Sequence, residues 1–154
     1  MKTIKRMLEH QMWADRELLA GVRASGADNR EALKLLRHVA IAEQVWVTRL
    51  SGESSGKLQL WTDDAELASL EELYADNEAR YAAYLDSLTE ERLDEVLTYA
   101  NQSGTVFHTP IRDILTHVAL HGQYHRGQIN RVLREAGGEP KALDYILYAR
   151  LSES

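Results

Sequence analysis

Cysteine is absent from this chain, which excludes internal disulfides, thiolate metal ligands and a cysteine nucleophile. Basic charge is in short supply as well: 18 Lys and Arg stand against 24 Asp and Glu, for a formal charge of −6. A protein whose main task is to grip phosphate backbones carries the opposite balance, so nucleic acid is not an expected partner. Long uncharged apolar runs are missing too. The amino-terminal stretch MKTIKRMLEHQMWADRELL interleaves charges with apolar residues, which fits neither a signal peptide nor a membrane span. The expected setting is the cytoplasm, with no membrane partner. There is no internal repeat, low-complexity tract or inter-domain linker. The only two prolines, Pro110 and Pro140, fall at the bounds of one helical pattern.

What is present is an ordinary globular composition, 44 % hydrophobic and 27 % charged over 154 residues. That length suits one domain, spanning 1–154, with a sizeable core. Ile4, Leu8, Leu18 and Val22 recur at helical spacing from about Thr3 to Val22, with Asp15 on the same stripe and Gly26 beyond as a stop signal. A second apolar face, Leu35, Val39, Ala42, Trp46 and Leu50, runs from about Arg30 to Leu50 behind an Asp28 or Asn29 cap. The polar loop Ser51 to Gly56 leads to a third helix, capped at Asp63 or Asp64 and carried to about Leu88 by Leu67, Leu70, Tyr74, Tyr81 and Leu88. Glu95 to Tyr99 and Thr105 to His108 flank Asn101-Gln102-Ser103-Gly104 and read as a small β-hairpin. Thr109-Pro110 opens a fourth helix as cap and first helical residue, and Gly137, Gly138 and Pro140 end it. Leu143 to Leu151 forms a last short helix. The fold class is all-α: a helical bundle with a long crossover carrying the hairpin.

The fourth helix holds His117, His121 and His125 at intervals of four, a spacing that returns side chains to one face. At about 100° per residue, Ile111, Ile114, Val118, Ile129 and Val132 mark the buried face. His121 and His125 fall within or beside it, and His117 lies at its edge. His38 flanks the second-helix stripe and is the natural third ligand. Two imidazoles one turn apart near a core each need a partner where water is scarce, and one divalent ion serves both. Gln128 shares their face and can bond a ligand or a water. Tyr74 and Tyr81 are core residues with polar tips that can also line the site. Asp15, a carboxylate on a buried stripe, calls for a paired or orienting role. His10 lies opposite the apolar stripe of its helix, in solvent, and His108 on the hairpin carries no role. Trp13 projects off its stripe and needs cover from the carboxy-terminal segment or another subunit.

Three stretches carry a family resemblance: MetTrpAlaAsp (Met12 to Asp15), LeuLeuArgHisValAlaIleAlaGluGlnValTrp (Leu35 to Trp46), and HisValAlaLeuHisGlyGlnTyrHisArgGlyGlnIle (His117 to Ile129). In these the chain resembles the DinB/YfiT-like metalloenzymes, with HisGlyGlnTyrHisArgGlyGln the most specific match. The resemblance implies a four-helix bundle, a homodimer, and a metal triad that maps onto His38, His121 and His125; it does not make His117 a ligand. It further implies one divalent metal, zinc or nickel first and iron or manganese next. An open position would take water or a thiol and lower its pKa. The implied activity is thiol-dependent S-transfer or hydrolysis on a small-molecule substrate, with a low-molecular-weight thiol supplied from outside and Gln128, Tyr74 or Tyr81 orienting the substrate. The rival reading is a non-catalytic metal-binding stress-response protein. A carboxylate-bridged di-iron centre is disfavoured, because the chain has no Glu-X-X-His pair.

Overall fold

The computed structural model describes residues 1–25 and 27–152, so Gly26, the expected stop signal of the first helix, lies outside the described residues. Four long helices, α1 (Lys2–Ser25), α2 (Arg30–Leu50), α3 (Leu67–Ser87) and α4 (Ile111–Glu135), form the bundle, and a short α5 (Tyr145–Leu151) follows. The crossover from α3 to α4 carries a 3-10 turn, Glu91–Asp94, and an antiparallel hairpin of β1 (Val96–Ala100) and β2 (Val106–Pro110). In its register Thr98 faces His108 and Tyr99 faces Phe107. The Asn101 side chain builds the turn by accepting from the backbone N–H groups of Ser103 and Thr105. Gly104 closes it at φ 85°, a conformation that favours glycine. Among the described residues no helix is long and apolar enough to cross a membrane.

Helix starts follow the local chemistry. Asn29 caps α2, its side chain accepting from Ala32 N–H at 3.1 Å. The expected caps of α3 are used elsewhere: Asp63 pairs with Lys34, and Asp64 accepts from the Thr62 hydroxyl. The helix therefore begins later, at Leu67, with no side-chain cap. Thr109 does not cap α4 either. It stays in β2 opposite Leu97, and its hydroxyl meets that of Tyr99, while Ile111 N–H donates to Glu95 C=O. At the far end of α4, Gly137 takes φ 83° just beyond the last turn.

Two apolar clusters fill the bundle. Leu18, Val22, Leu33, Leu36, Ile129 and Leu133 belong to one; Leu8, Val47, Tyr81, Ile114, Leu115 and Val118 belong to the other. Along each helix the change from one cluster to the other passes a buried polar residue: Gln11 and Asp15 in α1, Glu43 in α2, Asn77 in α3 and Arg126 in α4. These residues bond to one another and to the backbone, although Gln11 Oε1, Asn77 Oδ1 and Arg126 Nε have no partner among the described residues. Arg126 Nη1 donates to Asp15 at 2.8 Å, Gln11 Nε2 donates to Glu43 at 2.8 Å, and Asn77 Nδ2 donates to Ala40 C=O at 2.8 Å. Asp15 thus has the partner that its place on a buried stripe demands.

Burial pushes the Glu43 carboxyl well above the usual carboxylate range, reinforced by the charge of Asp15 and a hydrogen bond to it and opposed by Arg126 and Asn77. Folding therefore holds a proton on Glu43 that the unfolded chain releases. This contribution is complete below the ordinary carboxylate range and is lost as pH rises through the folded value. Glu43→Gln keeps a donor and an acceptor in place without the titration. The stability of the unmodified chain should fall relative to the variant as pH rises from about 5 to 8. Melting curves of both across that range check this, and parallel profiles would contradict it.

His10 is buried rather than solvated. Its Nε2–H donates to Leu143 C=O at 2.7 Å, and its ring packs against Trp13, Tyr145 and Tyr148. The carboxy-terminal segment folds back over this flank of α1 and also covers Trp13, whose ring centroid lies 5.9 Å from that of Tyr148. Trp13 therefore finds cover within its own chain and no longer argues for a second subunit.

Candidate metal centre

The second and fourth helices pack closely against each other, and their facing sides bring His38, His121 and His125 together. One ligand atom from each lies within 4.8 Å of the others. The three rings also contact one another directly, with centroid separations of 5.1 Å for His38 and His121, 4.6 Å for His38 and His125, and 4.5 Å for His121 and His125. His38 is buried and the other two are half-buried.

Hydrogen bonds orient two of the rings. His38 Nδ1–H donates to Leu60 C=O at 3.1 Å, which leaves Nε2 with its lone pair. That nitrogen lies 3.3 Å from His121 Nε2. His125 Nδ1–H donates to Gln128 Oε1 at 2.7 Å, leaving its Nε2 free as well. An outer partner on one ring nitrogen that presents the other is the usual arrangement around metal-bound histidine. Burial, followed by the neighbouring His125, His38 and His117 and by Arg126, lowers the His121 pKa to about 4. His38 is lowered by burial, against the hydrogen bond it donates to Leu60 C=O and with a further lowering by His125. Neutral imidazoles with converging lone pairs are a nitrogen donor set suited to zinc, nickel, copper or iron, so the residues present fit a transition-metal ion.

The loop from 51 to 66 does more than connect helices. Leu60 fixes the His38 ring, and Trp61 stacks on it at 3.7 Å between centroids with an interplanar angle of 5°. Cationic residues on the flank of α2 hold that loop: Arg30 donates to Ala65 C=O, Lys34 pairs with Asp63, and Arg37 donates to Gln59 C=O. Sequence reasoning missed Trp61 because the loop has no periodicity. The available signal was a large aromatic in an otherwise polar stretch.

His117 stays outside the converging group. Its ring lies 5.5 Å from both Trp46 and His121, on the wall of a cleft of about 520 Å³ that His38 and His121 also line. Tyr74 and Tyr81 are not brought to the histidines. Both line a different, smaller cavity with Gln11, Asp15 and Glu43, and their hydroxyls donate to the carbonyls of Leu36 and Glu43 at 2.8 Å. His108 lies on the exposed hairpin, bonded to Thr98.

The motif HisGlyGlnTyrHisArgGlyGln is now legible residue by residue. His121 and His125 face His38, and Gln128 orients His125. A Cβ at Gly122 would lie 2.7 Å from Arg126 Nη1, so the glycine leaves room for the arginine to reach Asp15. The model of the DinB family matches residues 3–154. The chain belongs to the DinB family. It is similar to Protein DinB of Bacillus subtilis (strain 168), 30 % identical over 127 residues that cover 78 % of this chain and 73 % of that protein. A DinB-like protein from Bacillus cereus ATCC 10987, solved by crystallography, shares the fold at a TM-score of 0.60 and 17 % identity, over 88 % of this chain and 94 % of that one.

Loss of the outer partner in this DinB-family site has a defined expected cost. Gln128→Leu should weaken zinc binding about 10–100-fold by releasing the His125 ring. Competition against a chromogenic chelator measures it, and unchanged affinity would remove Gln128 from the site.

Proposed function

We propose that this DinB-family chain is a metal-dependent enzyme in which His38, His121 and His125 hold one divalent ion and leave a position for a water or a small thiol. Zinc and nickel suit the donor set best, and iron or manganese come next. A divalent ion held by three neutral imidazoles acts as a Lewis acid toward whatever takes its remaining position, lowering the pKa of water or thiol. The reaction class that follows is thiol-dependent S-transfer or hydrolysis.

One observation carries this reading: three histidines converge beside an open cleft, and among the described residues no fourth histidine or carboxylate joins the group. A purely structural zinc site closes its coordination with four protein ligands, whereas a catalytic one keeps a position open. The chain's own residues supply orientation and shielding. Leu60 and Gln128 set the rings of His38 and His125, Trp61 covers His38, and Ala42, Val45, Trp46 and Leu60 give the cleft an apolar wall. Because the chain has no cysteine, a thiol nucleophile must come from a cosubstrate.

The test begins with elemental analysis of untagged protein. Transfer from a panel of small thiols to a chromogenic aryl halide is then measured with and without chelator. Metal near one equivalent and chelator-sensitive turnover are expected. Turnover that persists unchanged in metal-free His125→Ala protein would overturn the proposal.

A further inference from the structure

Arg49 is the second strongly buried guanidinium of the bundle, 7 % exposed, and unlike Arg126 it has no carboxylate. Among the described residues no Asp or Glu pairs with it, and the nearest candidate along the loop, Glu53, is paired with Arg80. Its Nε donates to the Ser55 hydroxyl at 3.0 Å and its Nη2 to Gln102 Oε1 at 2.9 Å. The guanidinium carbon sits 4.6 Å from the Trp46 ring centroid and 4.8 Å from that of Tyr99. Neutral oxygens and π faces hold the group in place without cancelling its charge. A buried cation with no counter-ion is costly unless an anion joins it.

Its position gives that charge a use. His38, Ala42, Val45, Trp46 and Arg49 line the same cleft as His117 and His121. Eleven residues separate His38 from Arg49, close to three full helical turns, so both project from one face of α2 about 16 Å apart along its axis. The histidines occupy one end of the cleft and the guanidinium the other, with Trp46 between them. Gln102, in the hairpin turn, locks this end by donating to Ser55 C=O at 2.8 Å and Leu58 C=O at 2.7 Å while accepting from Arg49. Arg49 is thus held from α2, the loop after it and the hairpin together, and Nη1 makes no hydrogen bond to the described residues.

We propose that Arg49 is an anion subsite that receives a carboxylate of the substrate or cosubstrate. Trp46 contacts the body of that molecule, and its reacting end reaches toward His38 and His121. This subsite selects small organic acids over their neutral analogues. It rests on the reading of the cleft as a substrate site, and it is independent of which metal the histidines hold.

The test uses full-length protein stripped of metal, so that a carboxylate cannot be drawn to an ion. Phenylbutyrate and its uncharged amide are titrated separately while NMR follows the Trp46 indole and Arg49 side-chain N–H signals. The acid should shift both signals and bind at least about tenfold more tightly than the amide, as expected for a charge-assisted contact. Arg49→Gln should bring the acid down to the level of the amide, and Arg49→Lys should recover only part of the difference because the planar fork is lost. Should either variant fail to fold, the comparison of acid and amide on unmodified protein still decides. Equal binding of the two, or no shift at Trp46 and Arg49, would overturn the subsite. Zinc titration of the same samples separates this from the metal centre: zinc uptake without acid selectivity refutes the subsite alone, and acid selectivity without zinc uptake refutes the centre alone.

Discussion

Replacing His121 with alanine should abolish tight uptake of divalent metal while leaving the helical bundle in place. His121 is one corner of the triangle of histidines, its Nε2 3.3 Å from that of His38 and its ring in edge contact with His125. Without it the remaining pair cannot supply a three-nitrogen set. The loss should exceed the roughly 10–100-fold expected for removing an outer partner such as Gln128. The fold should survive because His121 belongs to neither apolar cluster, and packing of the apolar faces supplies most of a helix's stability. Calorimetric titration with zinc, paired with far-ultraviolet circular dichroism, checks both halves. His117→Ala is the matched control, with uptake expected to remain near that of the unmodified chain. A loss of uptake in the His117 variant equal to that in the His121 variant would show that the converging group has been drawn wrongly.

The second large effect is on stability. Arg126 is 1 % exposed and is the cation of the polar layer between the two clusters. Arg126→Met keeps length and apolar bulk but leaves Asp15 and Glu43 facing each other without a counter-charge. Breaking a buried ion pair from one side costs about 3–5 kcal/mol. For a chain of this length that amounts to a drop in melting temperature of roughly 6–20 °C. Asp15→Asn should cost less, because Glu43, relieved of its anionic neighbour, can ionise and take over as the partner of Arg126. The order of the two variants is therefore the informative result. Equal losses would show that Glu43 does not respond to Asp15 and would leave burial alone as the cause of its raised pKa.

How much of this was legible in the sequence depends on how local each cause is. The limits of α2 follow from Asn29 and an apolar stripe, and the hairpin follows from Asn101 to Gly104, because turn and cap chemistry act within a few residues. The facing of His121 and His125 also follows from helical phase. Features settled by distant partners were not legible. His10 lies off the apolar stripe of α1, yet Leu143, from the far end of the chain, accepts its hydrogen bond and buries it. Arg126 is buried because Asp15, more than a hundred residues earlier, neutralises it, and a single helical wheel shows no such partner. Tyr74 and Tyr81 were correctly given a polar tip, but phase within α3 could not tell a site facing His38 from the smaller cavity around Glu43. The start of α3 moved because Asp63 and Asp64 are drawn to Lys34 and Thr62.

In the proposed function three histidines hold a metal and leave room for an exogenous ligand. Zinc-edge X-ray absorption of the loaded chain, recorded before and after addition of a small thiol, tests it most directly. The expected spectrum contains three imidazole ligands and one exchangeable oxygen, with sulfur replacing the oxygen once thiol is present. A first shell of four protein ligands that thiol does not alter, or one lacking the imidazole signature, would contradict the account.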